Sequence, residues 1–93
     1  MAAMDLLGRR WALRILWELR GGAVGARALL ERCQGLSSSV LYDRLRELTT
    51  AELIEKDSHD QYRLSRTGRS LGSALEPLDA WSKEWDRSTR KKK

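Results

Sequence analysis

Only Gln34-Gly35-Leu36 and the serine after them separate two apolar helical stripes, and this short link restricts the possible folds more than any other feature. Before it, Ala26 to Cys33 places Ala26, Leu29, Leu30 and Cys33 on one face, at the spacing of an amphipathic helix. After it, Ser38 to Thr50 does the same with Leu41, Leu45 and Leu48. Gln34-Gly35 stops the first helix. Ser37 is the natural N-cap of the second, because its hydroxyl can accept a backbone N–H left unpaired in the first turn. A short helix, a tight turn and a second helix make helix-turn-helix spacing.

The flanking segments complete a topology. Asp5 to Arg20 is expected to be one helix, with Gly8, Ala12, Ile15, Leu16 and Leu19 on its main stripe and Leu13 and Trp17 on a second apolar flank. Gly21-Gly22 ends it, and Ala23-Val24 has room for one short edge strand. Two alternating runs, LIEKD over 53–57 and QYRLS over 61–65, surround Ser58-His59-Asp60. They read as a hairpin in which Tyr62 and Leu64 share one face while Arg63 points the other way. Thr67 is expected to cap a last helix whose stripe is Leu71, Ala74, Leu75, Leu78, Trp81 and Trp85. Pro77 should kink or split it near Glu76, since proline removes a backbone donor and crowds the preceding turn. The predicted fold class is mainly α with a small β-hairpin (α+β): a winged helix-turn-helix over residues 1–86, followed by a basic, disordered tail over 87–93.

At 93 residues the chain has the size of one small domain. Such a domain buries only about 60% of its unfolded surface, so association with a second copy would help it. The Leu/Trp stripe of the last helix and the Leu13/Trp17 flank hold more apolar surface than so small a body covers. Pairing two copies about a two-fold axis removes the excess. The predicted interface is Leu13, Trp17, Leu71, Leu75, Leu78, Trp81 and Trp85.

No apolar run reaches the ~20 residues of a membrane span. Arginines interrupt MAAMDLLGRRWALRIL where a signal peptide needs its apolar region, so a cytoplasmic location is expected. The single cysteine, Cys33, has no partner for an intramolecular disulfide and sits at a core position. Neither a metal nor a cofactor is expected, and neither is catalysis. His59 lies at a hairpin tip, the serines lack a nucleophile elbow, and the glycines lack the Lys-Ser/Thr ending of a phosphate loop.

The net charge of +5 is unevenly distributed. RSTRKKK over 87–93 carries five positive charges, so residues 1–86 sum to zero. Within that body, 9–69 carries +4 and 70–86 carries −3. A basic body with an acidic last helix and a basic tail is compatible with nucleic-acid binding. The far side of the 38–50 helix supports the same reading. Ser39, Tyr42, Asp43, Arg46 and Thr50 line it, with small hydroxyls at one end for close approach and long side chains beyond to reach bases or phosphates.

With these elements in order, the chain resembles the HxlR-type winged-helix transcriptional regulators of the wider MarR-like group. The pieces that carry the resemblance are DLLGRRWALRILWEL, GLSSSVLYDRLRELTTAELIEK, YRLSRTGRSL and LDAWSKEW, spanning about Asp5 to Trp85. The resemblance implies a homodimeric bacterial DNA-binding protein, with its recognition helix at 38–50, its wing at 53–65 and its terminal helices forming the dimer. The chain departs from the family pattern in three places. Family members usually have a longer N-terminal arm with a cysteine near its start, and the one cysteine of this sequence is Cys33. The wing tip is short and carries Asp57 and Asp60. Glu52 stands where the family has a glycine ending the recognition helix, so a left-handed Glu52, or a helix that ends differently, is predicted.

For double-stranded DNA, Arg27, Arg63 and Arg66 are the expected phosphate contacts, together with backbone N–H groups at the start of the recognition helix. Ser38, Ser39, Tyr42 and Arg46 are the expected base readers in the major groove. Arg44, nearer the buried stripe, is expected to be a structural ion-pair partner. Asp43 either accepts from a cytosine amine or holds Arg46 or Tyr42. Two alternatives remain open at this level. One is a protein-interaction module without specific DNA readout. The other is a regulator with an unknown small-molecule effector bound at the dimer interface among Trp11, Trp17, Trp81 and Trp85.

Overall fold

In the computed structural model, which describes residues 3–91, the two stripes flanking the short link face each other across one core. α3 (Ala26–Arg32) contributes Leu29, and α4 (Ser38–Thr50) contributes Leu41, Leu45 and Leu48. Cys33 and Leu36 fill the corner between them. Ahead of α3 lie α1 (Ala3–Leu7), α2 (Ala12–Glu18), a 3-10 turn over Leu19–Gly21, and β1 (Val24–Gly25). After α4 come β2 (Ile54–Lys56), β3 (Gln61–Leu64) and α5 (Arg66–Lys91). The strands form one antiparallel sheet in the order β1-β3-β2, with Val24 opposite Tyr62 and Ile54 opposite Leu64. This is the winged helix-turn-helix that the periodicity predicts, with Tyr62 and Leu64 buried and Arg63 exposed.

Four local expectations differ. The N-terminal segment is not one helix. It breaks between α1 and α2, where Trp11 takes the left-handed φ of 75° and its ring lies over Gly35. Gly8, expected on the buried stripe, is exposed at this break, while Ala12, Ile15, Leu16 and Leu19 are buried as expected. The last helix starts at Arg66, and its cap is Ser65, two residues before Thr67: the Ser65 hydroxyl accepts from Gly68 N at 3.0 Å. Pro77 does not split α5, which runs as one element of 26 residues, or about 39 Å. Proline's fixed φ suits a helix, so its cost here is the missing N–H to the Ser73 carbonyl and crowding of the turn before it. Finally, α5 continues through Arg87 to Lys91, where a free tail was expected; an Asp86–Arg90 ion pair at 3.2 Å supports its last turns. Lys92 and Lys93 lie outside the described residues.

The end of α4 is fixed by backbone geometry. Glu52 adopts a φ of 63°, the first of the two outcomes that the family resemblance left open. Its N–H bonds Thr49 O and the N–H of Leu53 bonds Leu48 O, each at 3.0 Å, the paired closure of a Schellman motif. Ser65 then ties this corner to α5. Its N–H bonds Leu53 O at 3.0 Å and its hydroxyl donates to Glu52 O at 2.6 Å. The contact is so close that a Cβ on Gly68 would lie 2.0 Å from Leu53 O, which makes glycine obligatory there.

A glutamate in the left-handed region costs up to about 1–2 kcal/mol relative to glycine. Glu52→Gly is therefore expected to stabilise the fold by about 1 kcal/mol. Urea unfolding should show a higher midpoint at unchanged slope. An equal or lower midpoint would mean that the Glu52 side chain compensates its own strain.

Candidate nucleic-acid interface

α4 presents one face because the other is fully committed. Leu41, Leu45 and Leu48 are buried, so the helix cannot roll without exposing them. Its start is capped as predicted: Ser37 Oγ accepts from Val40 N at 3.2 Å. Its inner flank is braced by Arg44, which donates to Arg10 O at 2.9 Å and to Glu47 Oε1 at 2.8 Å. Glu47 also meets Arg9 at 3.5 Å. Arg44 is thus the structural partner anticipated from the sequence, holding the break between α1 and α2 against the helix.

The outer face carries Ser38, Ser39, Tyr42, Asp43 and Arg46, all exposed. Arg46 donates to Asp43 one turn back, with the two side chains 70% and 54% exposed. A pair this open contributes about 0–1 kcal/mol, so the guanidinium can leave it for another planar acceptor. Arg63 stands on the exposed face of β3 directly opposite Glu55, at 3.3 Å, and Lys56 meets Asp60 at 3.4 Å. Arg66, at the start of α5, shares a depression with Thr49, Glu52, Glu55 and Lys56, where the end of α4 meets the wing. Arg27 stands apart, exposed in the first turn of α3. The structure therefore groups Ser38, Ser39, Tyr42 and Arg46 on one helix and Arg63 with Arg66 around the wing. Glu55 was missed at the sequence level, although folding the two alternating runs about 58–60 already sets it opposite Arg63.

The wing tip is held by one carboxylate. Asp57 Oδ1 accepts from His59 N at 2.8 Å and Gln61 N at 3.0 Å, and Asp60 takes a left-handed φ of 58°. These backbone N–H bonds, Gln61 first and then His59, lower the Asp57 pKa below its ordinary value. His59 is exposed beside Ser58. Cys33, buried in the core, has its thiol pKa pushed up by desolvation.

The residues expected at a dimer interface divide into two sets. Leu75 is buried and Leu71 half-buried, both packing on the chain's own core. Leu78, Trp81 and Trp85 are 47%, 56% and 56% exposed, with the two indoles stacked at 6.1 Å. Leu13 and Trp17 line a groove of about 620 Å³ between α2 and α5 with Leu75 and Leu78. Trp17 also carries the Arg20 guanidinium over its ring, and Arg20 reaches Glu76 at 3.4 Å. Within one protomer the four tryptophans do not share a pocket: Trp11 lines a separate depression with Leu7, Arg9 and Arg10. No helix among the described residues is long and apolar enough to cross a membrane.

Comparison with known proteins agrees with this geometry. The HxlR-like helix-turn-helix family model matches residues 6–90. YvaP of Bacillus subtilis, an uncharacterized HTH-type transcriptional regulator, is 28% identical over 89% of this chain and 82% of its own length. The HTH-type transcriptional regulator YodB of the same organism is 27% identical over 90% of this chain and 80% of its own. Quinone-bound YodB superposes with a TM-score of 0.80 at 29% identity, covering 88% of this chain and 91% of that one. A possible HxlR family transcriptional factor from Thermoplasma volcanium GSS1 superposes with a TM-score of 0.85 at 25% identity, covering 94% and 84%.

A carboxylate with a lowered native pKa adds stability above its unfolded value and loses it as pH falls through the folded one. The amide signals of His59 and Gln61 are therefore expected to shift together on acidification, with a midpoint below 3.8. Titration by NMR checks this. A midpoint at or above 3.8, or amides that titrate apart, would show that Asp57 does not hold the tip.

Proposed function

The chain belongs to the HxlR-like helix-turn-helix family, and from that premise we propose that it is a sequence-specific regulator that binds a near-palindromic duplex DNA site as a homodimer. The outer face of α4 carries this reading: a capped helix, locked by three buried leucines, that holds Ser38, Ser39, Tyr42 and Arg46 out to solvent. Such a helix enters the major groove with its small N-terminal residues close to the bases. Arg46 then takes a guanine edge, and Arg63 and Arg66 at the wing, with Arg27 on α3, take phosphates.

Leu78, Trp81 and Trp85 support the dimer. They extend the α5 stripe beyond what the protomer covers, and a second copy docked there would also close the groove beside Leu13 and Trp17. Two recognition helices would then lie about 34–36 Å apart, one turn of DNA. An effector in that groove is the second reading. Its apolar walls, edged by Arg14, Glu18, Asp79 and Ser82, favour it, as does the quinone held by the related YodB.

Selection from a random duplex library over a range of salt tests the proposal. The wild type is expected to recover a near-palindromic site. Arg46→Ala should lose about 1–3 kcal/mol of discrimination at one position per half-site. Recovery of no preferred site by the wild type would transfer the function to docking on a protein partner. Trp81→Glu is expected to shift sedimentation from dimer to monomer and weaken operator binding with it; an unchanged dimer would remove α5 from the interface.

A further inference from the structure

We propose that Asp43 on α4 is a specificity-determining residue that acts against non-specific DNA, by neutralising the arginine that the recognition helix would otherwise offer to any phosphate, while Glu55 on β2 lowers the phosphate affinity of Arg63 at every sequence alike. The proposal rests on the DNA-binding reading above. Each cation on the outer face of α4 and on the wing strands is matched by its own acid: Arg46 by Asp43 one turn away, Arg63 by Glu55 directly across the hairpin, and Lys56 by Asp60. These pairs are exposed and lie on the surface proposed to meet DNA.

Non-specific affinity comes from cations that displace the counterions condensed on phosphates. An arginine already holding a carboxylate brings no net charge to that exchange. To take a random phosphate it must leave its acid, and the acid then faces a polyanion. At the Arg46–Asp43 pair a matched site removes this penalty. There Arg46 exchanges Asp43 for the two acceptors of a guanine edge, and Asp43 is free to accept from a neighbouring cytosine amine. The acid therefore disfavours wrong sequences more than the right one, discrimination built as much on repulsion as on attraction. The recognition helix and wing together fit this account: residues 38–64 hold Arg44, Arg46, Lys56 and Arg63 against six acids, so this part of the interface carries no standing excess of positive charge.

The alternative role for Asp43 is to stabilise the helix or orient Arg46, and binding to unselected DNA separates the two. Wild type, Asp43→Asn and Glu55→Gln are compared on two probes, sheared mixed-sequence duplex and the site that the wild type selects, across a salt series. Both positions are exposed, so the folds should persist, and thermal melting checks that they do. Each substitution is expected to tighten binding to mixed duplex roughly three- to tenfold and to steepen the logarithmic salt slope by about one. The ratio of selected to mixed affinity should fall for Asp43→Asn and hold for Glu55→Gln, whose arginine meets phosphate on both probes.

Mixed-duplex affinity and slope that do not change in both variants, with only the selected site weakened, would overturn the proposal and leave the acids as positioning groups. Absence of any duplex binding by the wild type and by the variants at low salt would overturn the DNA reading itself, and this inference with it.

Discussion

Ser65 fixes the relation between the two parts of the molecule that matter most. It lies between the wing and the last helix, buried in a core that is otherwise apolar. Its backbone N–H holds Leu53 O, its hydroxyl donates to Glu52 O, and the Ser65 hydroxyl oxygen accepts from Gly68 N. One small side chain thereby closes the end of α4 and opens α5. A buried hydroxyl left without partners costs about 1–3 kcal/mol, so the arrangement holds only if both helix ends stay in place. Gly68 makes the close approach possible, and the left-handed Glu52 turns the chain into it.

The other flank of α4 has its own brace. Arg44 reaches back to the carbonyl of Arg10, and Glu47 joins both Arg44 and Arg9. The break between α1 and α2, which interrupts what looks like one helix, puts those groups within reach. Held at its cap, its inner flank and its C-terminal corner, α4 has little freedom to tilt. Preorganisation of this kind lowers the entropy lost on binding and allows the outer face to remain polar and loosely paired.

Much of this was legible from residue types and spacing. The stripes, the Ser37 cap, the buried and exposed alternation of the wing and the structural role of Arg44 each follow from a local rule that tertiary packing does not override, while the left-handed Glu52 was legible only through the family resemblance. Elsewhere a long-range contact decided the outcome. Trp11 leaves helical geometry so that its ring can lie over Gly35, a neighbour that periodicity cannot reveal. Thr67 looked like a cap, but α5 begins at Arg66, and Ser65 caps it by accepting from Gly68 N while its hydroxyl donates to Glu52 O in another element. Gly68 drew no notice because its reason, the Leu53 carbonyl, belongs to another element. The acids of the interface were half visible: Asp43 through helical spacing, Glu55 only once the hairpin register is drawn.

The same junction bears on how the two halves of the proposed site act together. α5 emerges from the body at Ser65, packs Leu75 into the core, and then runs on with Leu78, Trp81 and Trp85 exposed. If a second copy pairs on that exposed stretch, the path from one recognition helix to the other runs along α4, through the Ser65 corner and along α5, then back in reverse. Every link in it is either helix or a hydrogen bond of about 3 Å made by the backbone or the hydroxyl of Ser65. Arg20, stacked on Trp17 and paired with Glu76, secures α5 to α2 partway along. Half-site spacing is then set by covalent and hydrogen-bonded geometry within each protomer, and only the crossing of the two α5 helices is left to the interface. A ligand or mutation that altered that crossing would change the spacing without touching a residue that faces DNA.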